Sequence, residues 1–115
     1  MDIGCGGGLM SEPLARLGAE VTGIDALEKN CITAKIHAEE NNLDINYLNT
    51  TAESLNKNKK YDIILNLEVI EHVNNPKHFI KECSGLVSNN GIMFIATINK
   101  SIFSLIFAKF MAEYV

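Results

Sequence analysis

Hydrophobic and polar positions switch between two periods along the chain, and the switches predict its elements. "MDIG" reads as the end of a buried strand. "LMSEPLARLG" then places Leu9, Met10, Leu14 and Leu17 at helical spacing, with Gly18 as a C-cap and Pro13 tolerable only in a first turn. This spacing predicts a helix starting near Leu9 or Met10. "EVTGID" is a second strand closing on Asp25, and "ALEKNCITAKIHAEENN" a helix with Leu27, Cys31, Ala34 and Ala38 on one stripe. "INYLNT" is a β-branched and aromatic strand, and "YDIILNLEVI" a continuous apolar run of the kind buried on both faces of a parallel sheet. In "NPKHFIKECSGLV", Asn75 is placed to cap a helix, Pro76 to begin it, and Phe79, Ile80 and Cys83 to face inward. "NNG" makes a turn into a last strand, "IMFIATI", and the chain closes on the apolar, helix-like "SIFSLIFAKFMAEYV".

The order β-α-β-α-β-loop-β-α-β-α predicts an α/β fold: a Rossmann-like, doubly wound parallel sheet with right-handed crossovers and helices on both faces. At 115 residues the ceiling is one domain, residues 1–115. The first strand lacks its earlier apolar half, and the last helix ends without a capping residue or polar tail. Both features lead to the expectation of a core truncated at both ends.

Composition narrows the function classes. A formal charge of −4 and a pI near 5.3 argue against a broad nucleic-acid surface, which needs clustered Lys and Arg. The "KNKK" at Lys57 to Lys60 reads as a solvated loop. Cys5, Cys31 and Cys83 have no CxxC spacing and an odd count, so they read as inert core thiols of a reducing, cytoplasmic compartment.

Chemistry is expected at the strand ends. Glycine is unfavourable inside regular elements, so Gly4, Gly6, Gly7 and Gly8 mark a backbone that turns sharply or is closely approached. In an open α/β sheet the first β-α turn is the usual ligand cradle, and the helix start beyond it offers free N–H groups. The dinucleotide register G-x-G-x-x-G fails, because the sixth position is Leu9 counted from Gly4 and Ser11 counted from Gly6. The chain carries instead D-x-G-x-G-x-G from Asp2 to Gly8. Asp25, ending the second strand, is placed to accept hydrogen bonds from both ribose hydroxyls of a nucleoside. At the same rim, "LNLEVIEHV" brings Glu68, Glu71 and His72 within five residues. Such a set can hold a divalent metal, and Glu71 and His72 can equally act as a catalytic hydrogen-bonding pair with His72 as general base.

These motifs resemble the class I S-adenosylmethionine-dependent methyltransferases over the whole chain. "DIGCGGG", "VTGID", "LEVIEHV" and "GIMFIATINKS" together are similar to the ubiquinone biosynthesis O-methyltransferases. The resemblance implies S-adenosylmethionine as cofactor, contacted by Gly4 and Asp25 within the Gly4, Gly6 and Gly8 loop and lined by Leu67. It implies a divalent metal such as Mg²⁺ on Glu68, Glu71 and His72. It further implies O-methylation of polyprenyl catechol and demethylubiquinol intermediates, whose isoprenoid tails live in membranes. Residues 101–115 are too short to span a bilayer. From their residues, a buried helix and an interfacial one stand about even, and the resemblance tilts towards peripheral contact with the inner membrane. Other readings stay open: a methyltransferase for another small acceptor, an inactive fragment of such an enzyme, and a core completed by a partner chain.

Overall fold

A computed structural model describes residues 1–98. Its five strands are β1 (Asp2–Ile3), β2 (Val21–Asp25), β3 (Ile45–Asn49), β4 (Tyr61–Leu67) and β5 (Val87–Ala96). All pair in parallel in the order β3-β2-β1-β4-β5. The three helices are α1 (Ser11–Arg16), α2 (Glu28–Glu40) and α3 (Pro76–Ser84). The chain runs from β1 outward to β3, then returns to lay β4 on the other side of β1. The topological switch therefore falls between β1 and β4, and the glycine loop and the segment after Leu67 open at the same rim. The expected α/β sheet is present.

The sequence dictates most elements directly. Asn75 caps α3 by accepting a hydrogen bond from the His78 N–H, and Pro76 is its first residue. Cys31, Ala34 and Ala38 form the buried stripe of α2, and Phe79 and Cys83 that of α3. Ile3, Ile24, Ile64, Phe79, Cys83 and Leu86 form the core on one face of the sheet.

Five expectations are corrected. Helix α1 starts at Ser11, and Leu9 and Leu17 are exposed. Its inward side is polar because Ser11 Oγ donates to buried Asp2 Oδ2 while Glu12 pairs with His37 of α2. Leu27 likewise lies exposed ahead of α2. Helix α3 ends at Ser84, and "NNG" sits inside β5, where the one residue of β4 between Tyr61 and Ile63 faces the four of β5 between Val87 and Ile92. The surplus residues bulge instead of closing a turn. Among the described residues one face of β4 and β5 stays open: Ile63 of β4 and Phe94 of β5 are each 50% exposed, while α1 and α2 contact β2 and β3. Nor is "KNKK" merely solvated. Lys57 Nζ donates to the carbonyls of Ala52 and Leu55 and pairs with Glu82, while Lys60 Nζ donates to the Gly85 carbonyl.

The other face is organised by Tyr47, whose ring packs against Gly23 and whose hydroxyl reaches Gly8. A Cβ at Gly23 would stand 2.7 Å from the ring and 3.1 Å from Cys5 Cβ. Gly23→Ala is expected to cost about 1–3 kcal/mol in denaturant unfolding, by overpacking, and Tyr47→Leu in the same chain to recover part of it. The three cysteines are free and buried, and burial pushes the thiol of Cys5 up to about 12 and that of Cys83 up to about 11. Iodoacetamide at about pH 8 should therefore leave both unlabelled in the native protein and label them in urea, as read by mass spectrometry.

Candidate functional site

A cavity of about 540 Å³ opens where β1, β2 and β4 end. Its floor is apolar, from Ile3, Ile24, Val69 and Phe79, and its rim polar, from Asp25, Asn30, Glu68 and His72. A few polar groups around an apolar floor suit a nucleoside-sized ligand.

The glycines divide into two kinds. Gly4, Gly6 and Gly8 all have positive φ, +70°, +53° and +88°. Space beside Gly4 is filled by the Val69 side chain and beside Gly8 by Tyr47, whereas Gly6 and Gly7 have nothing within 4 Å of where a Cβ would be. Close packing explains the outer two, and only the middle of the loop faces open space.

Asp25 holds that middle in place. Its Oδ2 accepts the Gly6 N–H at 2.9 Å, and its Oδ1 accepts from the Leu27 N–H at 2.9 Å and Asn30 Nδ2 at 3.2 Å. A carboxylate has about four acceptor sites, so three are engaged within the protein. Asp2 lies beneath the loop, its carboxyl raised above the ordinary range by burial, with the Ser11 hydrogen bond opposing.

The second cluster forms where β4 breaks. Glu68 adopts φ +58°, a left-handed conformation costing a non-glycine residue about 1–2 kcal/mol. Three contacts from the end of β5 secure the segment. The Glu68 N–H donates to the Ala96 carbonyl at 2.9 Å, Glu68 Oε1 accepts the Ile98 N–H at 2.8 Å, and Glu71 Oε2 accepts from Thr97 Oγ1 at 2.9 Å. Desolvation, with the neighbouring Glu71 carboxyl as a smaller cause, raises Glu68 above its usual range. At Glu71, desolvation pushes upward but is outweighed by hydrogen bonds from its own backbone, Thr97 and Glu68, so it stays below the usual range. His72 Nε2 stands 3.9 Å from Glu71 Oε1 on a ring that is 79% exposed. In this arrangement no three His, Cys, Asp or Glu side chains converge as a metal cage among the described residues. Leu67 ends β4 half-buried, paired with Ala96, and Glu68 and Val69 form the cavity wall beyond it.

Sequence reasoning missed Tyr47, Gly23, Val69 and Thr97. Gly23 had a signal, since a glycine inside a strand marks close approach, and here a side chain fills the space. Thr97 had none, because its contact is with a residue 26 positions away.

The methyltransferase domain family matches residues 1–95. The chain is 56% identical over its full length to the ubiquinone biosynthesis O-methyltransferase of Pelagibacter ubique and 53% identical to that of Caulobacter vibrioides. It spans 48% and 46% of those two proteins, about half the length of the curated relatives it matches. Among solved structures, the magnesium protoporphyrin IX methyltransferase of Synechocystis PCC 6803 with bound SAM is 30% identical. Its TM-score is 0.71, covering 76% of this chain and 43% of that one. The plantazolicin methyltransferase BpumL, in complex with SAH, is 29% identical with a TM-score of 0.71, over 82% and 36%.

Asp25→Ala removes the acceptor for three donors. It is expected to lower stability by about 1–3 kcal/mol and to speed amide hydrogen exchange at Gly6 and Leu27 while exchange in α3 is unchanged.

Proposed function

Because this chain belongs to the methyltransferase domain family, we propose that it binds S-adenosylmethionine and methylates a phenolic oxygen of a polyprenyl catechol or demethylubiquinol in ubiquinone biosynthesis. The reading is supported above all by one arrangement: a glycine loop latched by Asp25 and an E-x-x-E-H segment bordering a single cavity at the switch point. The names of the relatives at over 50% identity point the same way.

S-adenosylmethionine supplies an electrophilic sulfonium methyl group, which asks of a protein mainly in-line placement of donor and acceptor. In this reading the open backbone at Gly6 borders the methionine end, with Gly4 and Gly8 shaping the loop and Leu67 closing the far side. Asp25 exchanges one of its protein donors for the ribose hydroxyls. His72 and Glu71 stand at the opposite rim, where an acceptor hydroxyl enters, and His72 Nε2 takes its proton.

Glu68, Glu71 and His72 also have the donor chemistry for a divalent cation such as Mg²⁺, two hard carboxylates and one imidazole. Such an ion lowers the pKa of an oxygen bound to it. Peripheral membrane contact through residues 101–115, whose only charged residues are Lys109 and Glu113, belongs to the same reading, since an isoprenoid acceptor resides in lipid. Those residues lie outside the described ones, and no described helix is long and apolar enough to cross a membrane.

Calorimetric titration with S-adenosylhomocysteine tests the cofactor half. Saturable binding is expected, weakened at least about tenfold in Asp25→Ala by loss of charged hydrogen bonds. Glu71→Ala combined with His72→Ala should keep that binding and lose methyl transfer to a demethylubiquinol analogue. Full transfer by the double variant in excess EDTA sinks both the base and the metal role.

A further inference from the structure

We propose that Asn30 is a positioning residue of the cofactor site. Its side-chain amide is the donor that Asp25 gives up when two ribose hydroxyls bind: it steadies the carboxylate beforehand and competes with the ligand through the same hydrogen bond. The inference rests on the S-adenosylmethionine reading above and adds a residue that belongs to neither the glycine loop nor the E-x-x-E-H segment.

Asp25 has to make room. Three of its roughly four acceptor positions are filled, by the Gly6 N–H, the Leu27 N–H and Asn30 Nδ2. A ribose diol brings two donors, so one finds an open position and the other needs a position vacated. Two of the three resident donors are backbone groups that further contacts hold. The loop around Gly6 is fixed by the Gly4 and Cys5 N–H groups, which donate to the Ile24 carbonyl, and by the Gly8 N–H, which donates to the Cys5 carbonyl. The turn that carries Leu27 is fixed from β3, since Asn49 Nδ2 donates to the carbonyls of Asp25 and Ala26, each at 3.0 Å. Asn30 Nδ2 differs from both. It makes the longest of the three bonds, 3.2 Å against 2.9 Å, and it alone of the three sits on a side chain. Rotation about side-chain torsions withdraws it while the backbone stays where it is. Asn30 also lines the cavity, so a ligand bound there meets it directly. Breaking a hydrogen bond to a carboxylate counts against the ligand, and a chain without that donor binds free of the penalty.

Calorimetric titration of the full chain, Asn30→Ala and Asn30→Ser with S-adenosylhomocysteine and with its 3′-deoxy analogue reads the exchange. The analogue carries one ribose hydroxyl, which takes the open acceptor position and leaves Asn30 in place. Both variants are expected to bind S-adenosylhomocysteine about three- to tenfold more tightly than the unaltered chain, and the analogue within about twofold of it. In the ¹⁵N-labelled unaltered chain, the side-chain amide resonances of Asn30 should move to those of a solvated amide when S-adenosylhomocysteine is added. Thermal unfolding reports that each variant is folded, and either one suffices for the comparison. Equal or weaker binding of S-adenosylhomocysteine by a folded variant overturns the proposal and leaves the cofactor reading standing. Equal tightening of the analogue overturns it too, because the gain would then not come from the second hydroxyl. No saturable binding of S-adenosylhomocysteine by the unaltered chain removes the cofactor reading and the proposal with it.

Discussion

The Asp25 carboxylate is the tie on which the site depends. It ends the strand next to β1, so the β1–β2 pairing itself sets it beside the glycine loop, and it collects donors from three sources: the loop, the turn into α2 and the first turn of α2. Each is a backbone or amide group that would otherwise need water. A loop with three positive-φ glycines has high conformational entropy to lose, and a charged acceptor at its centre offsets part of that loss. Remove the tie, and Gly6 loses its hydrogen-bond acceptor, leaving the loop to the backbone bonds of Gly4 and Cys5 with Ile24 and of Gly8 with Cys5.

The opposite rim follows another logic. The glycine loop is relaxed because its residues suit their conformations, while the segment after β4 is held against its own preference. Glu68 is strained in backbone and placed beside a second carboxyl, and both costs are borne because Thr97 and Ile98, just beyond β5, supply donors. Strain of this kind persists only where surrounding structure over-determines it. The two rims therefore differ in what would disturb them. One is sensitive to loss of an acceptor, the other to anything that shifts the end of β5.

Much of this was legible in the sequence. Period-2 and period-3.6 patterns, the Asn75-Pro76 start of α3 and the alternation of elements carried the sheet and its order class, because those signals are local. D-x-G-x-G-x-G with Asp25 and the E-x-x-E-H run marked the right rim for the same reason. What escaped was decided by partners distant in sequence. Leu9 and Leu17 fit an inward stripe until Asp2 and His37 claim Ser11 and Glu12 for the inner side of α1. The apolar run of β4 matches a strand covered on both faces, yet which helix lies over which strand is a tertiary fact. Three of the loop glycines looked alike in sequence, and only Val69 and Tyr47 show that two of them are shaped by packing.

The bulge in β5 bears on how the protein behaves in concentrated solution. Among the described residues β5 is one of the sheet's two edge strands, and a long regular edge is a template for recruiting another chain by backbone pairing. The surplus residues between Val87 and Ile92, with Asn89 and Asn90 among them, break that template in its first half. The second half, Ile92 to Ala96, pairs regularly with β4 and keeps Ile92 and Phe94 about half exposed. A single charged side chain at position 94, where the exposed phenylalanine ring now stands, would act as a gatekeeper without touching the glycine loop or the carboxyl pair.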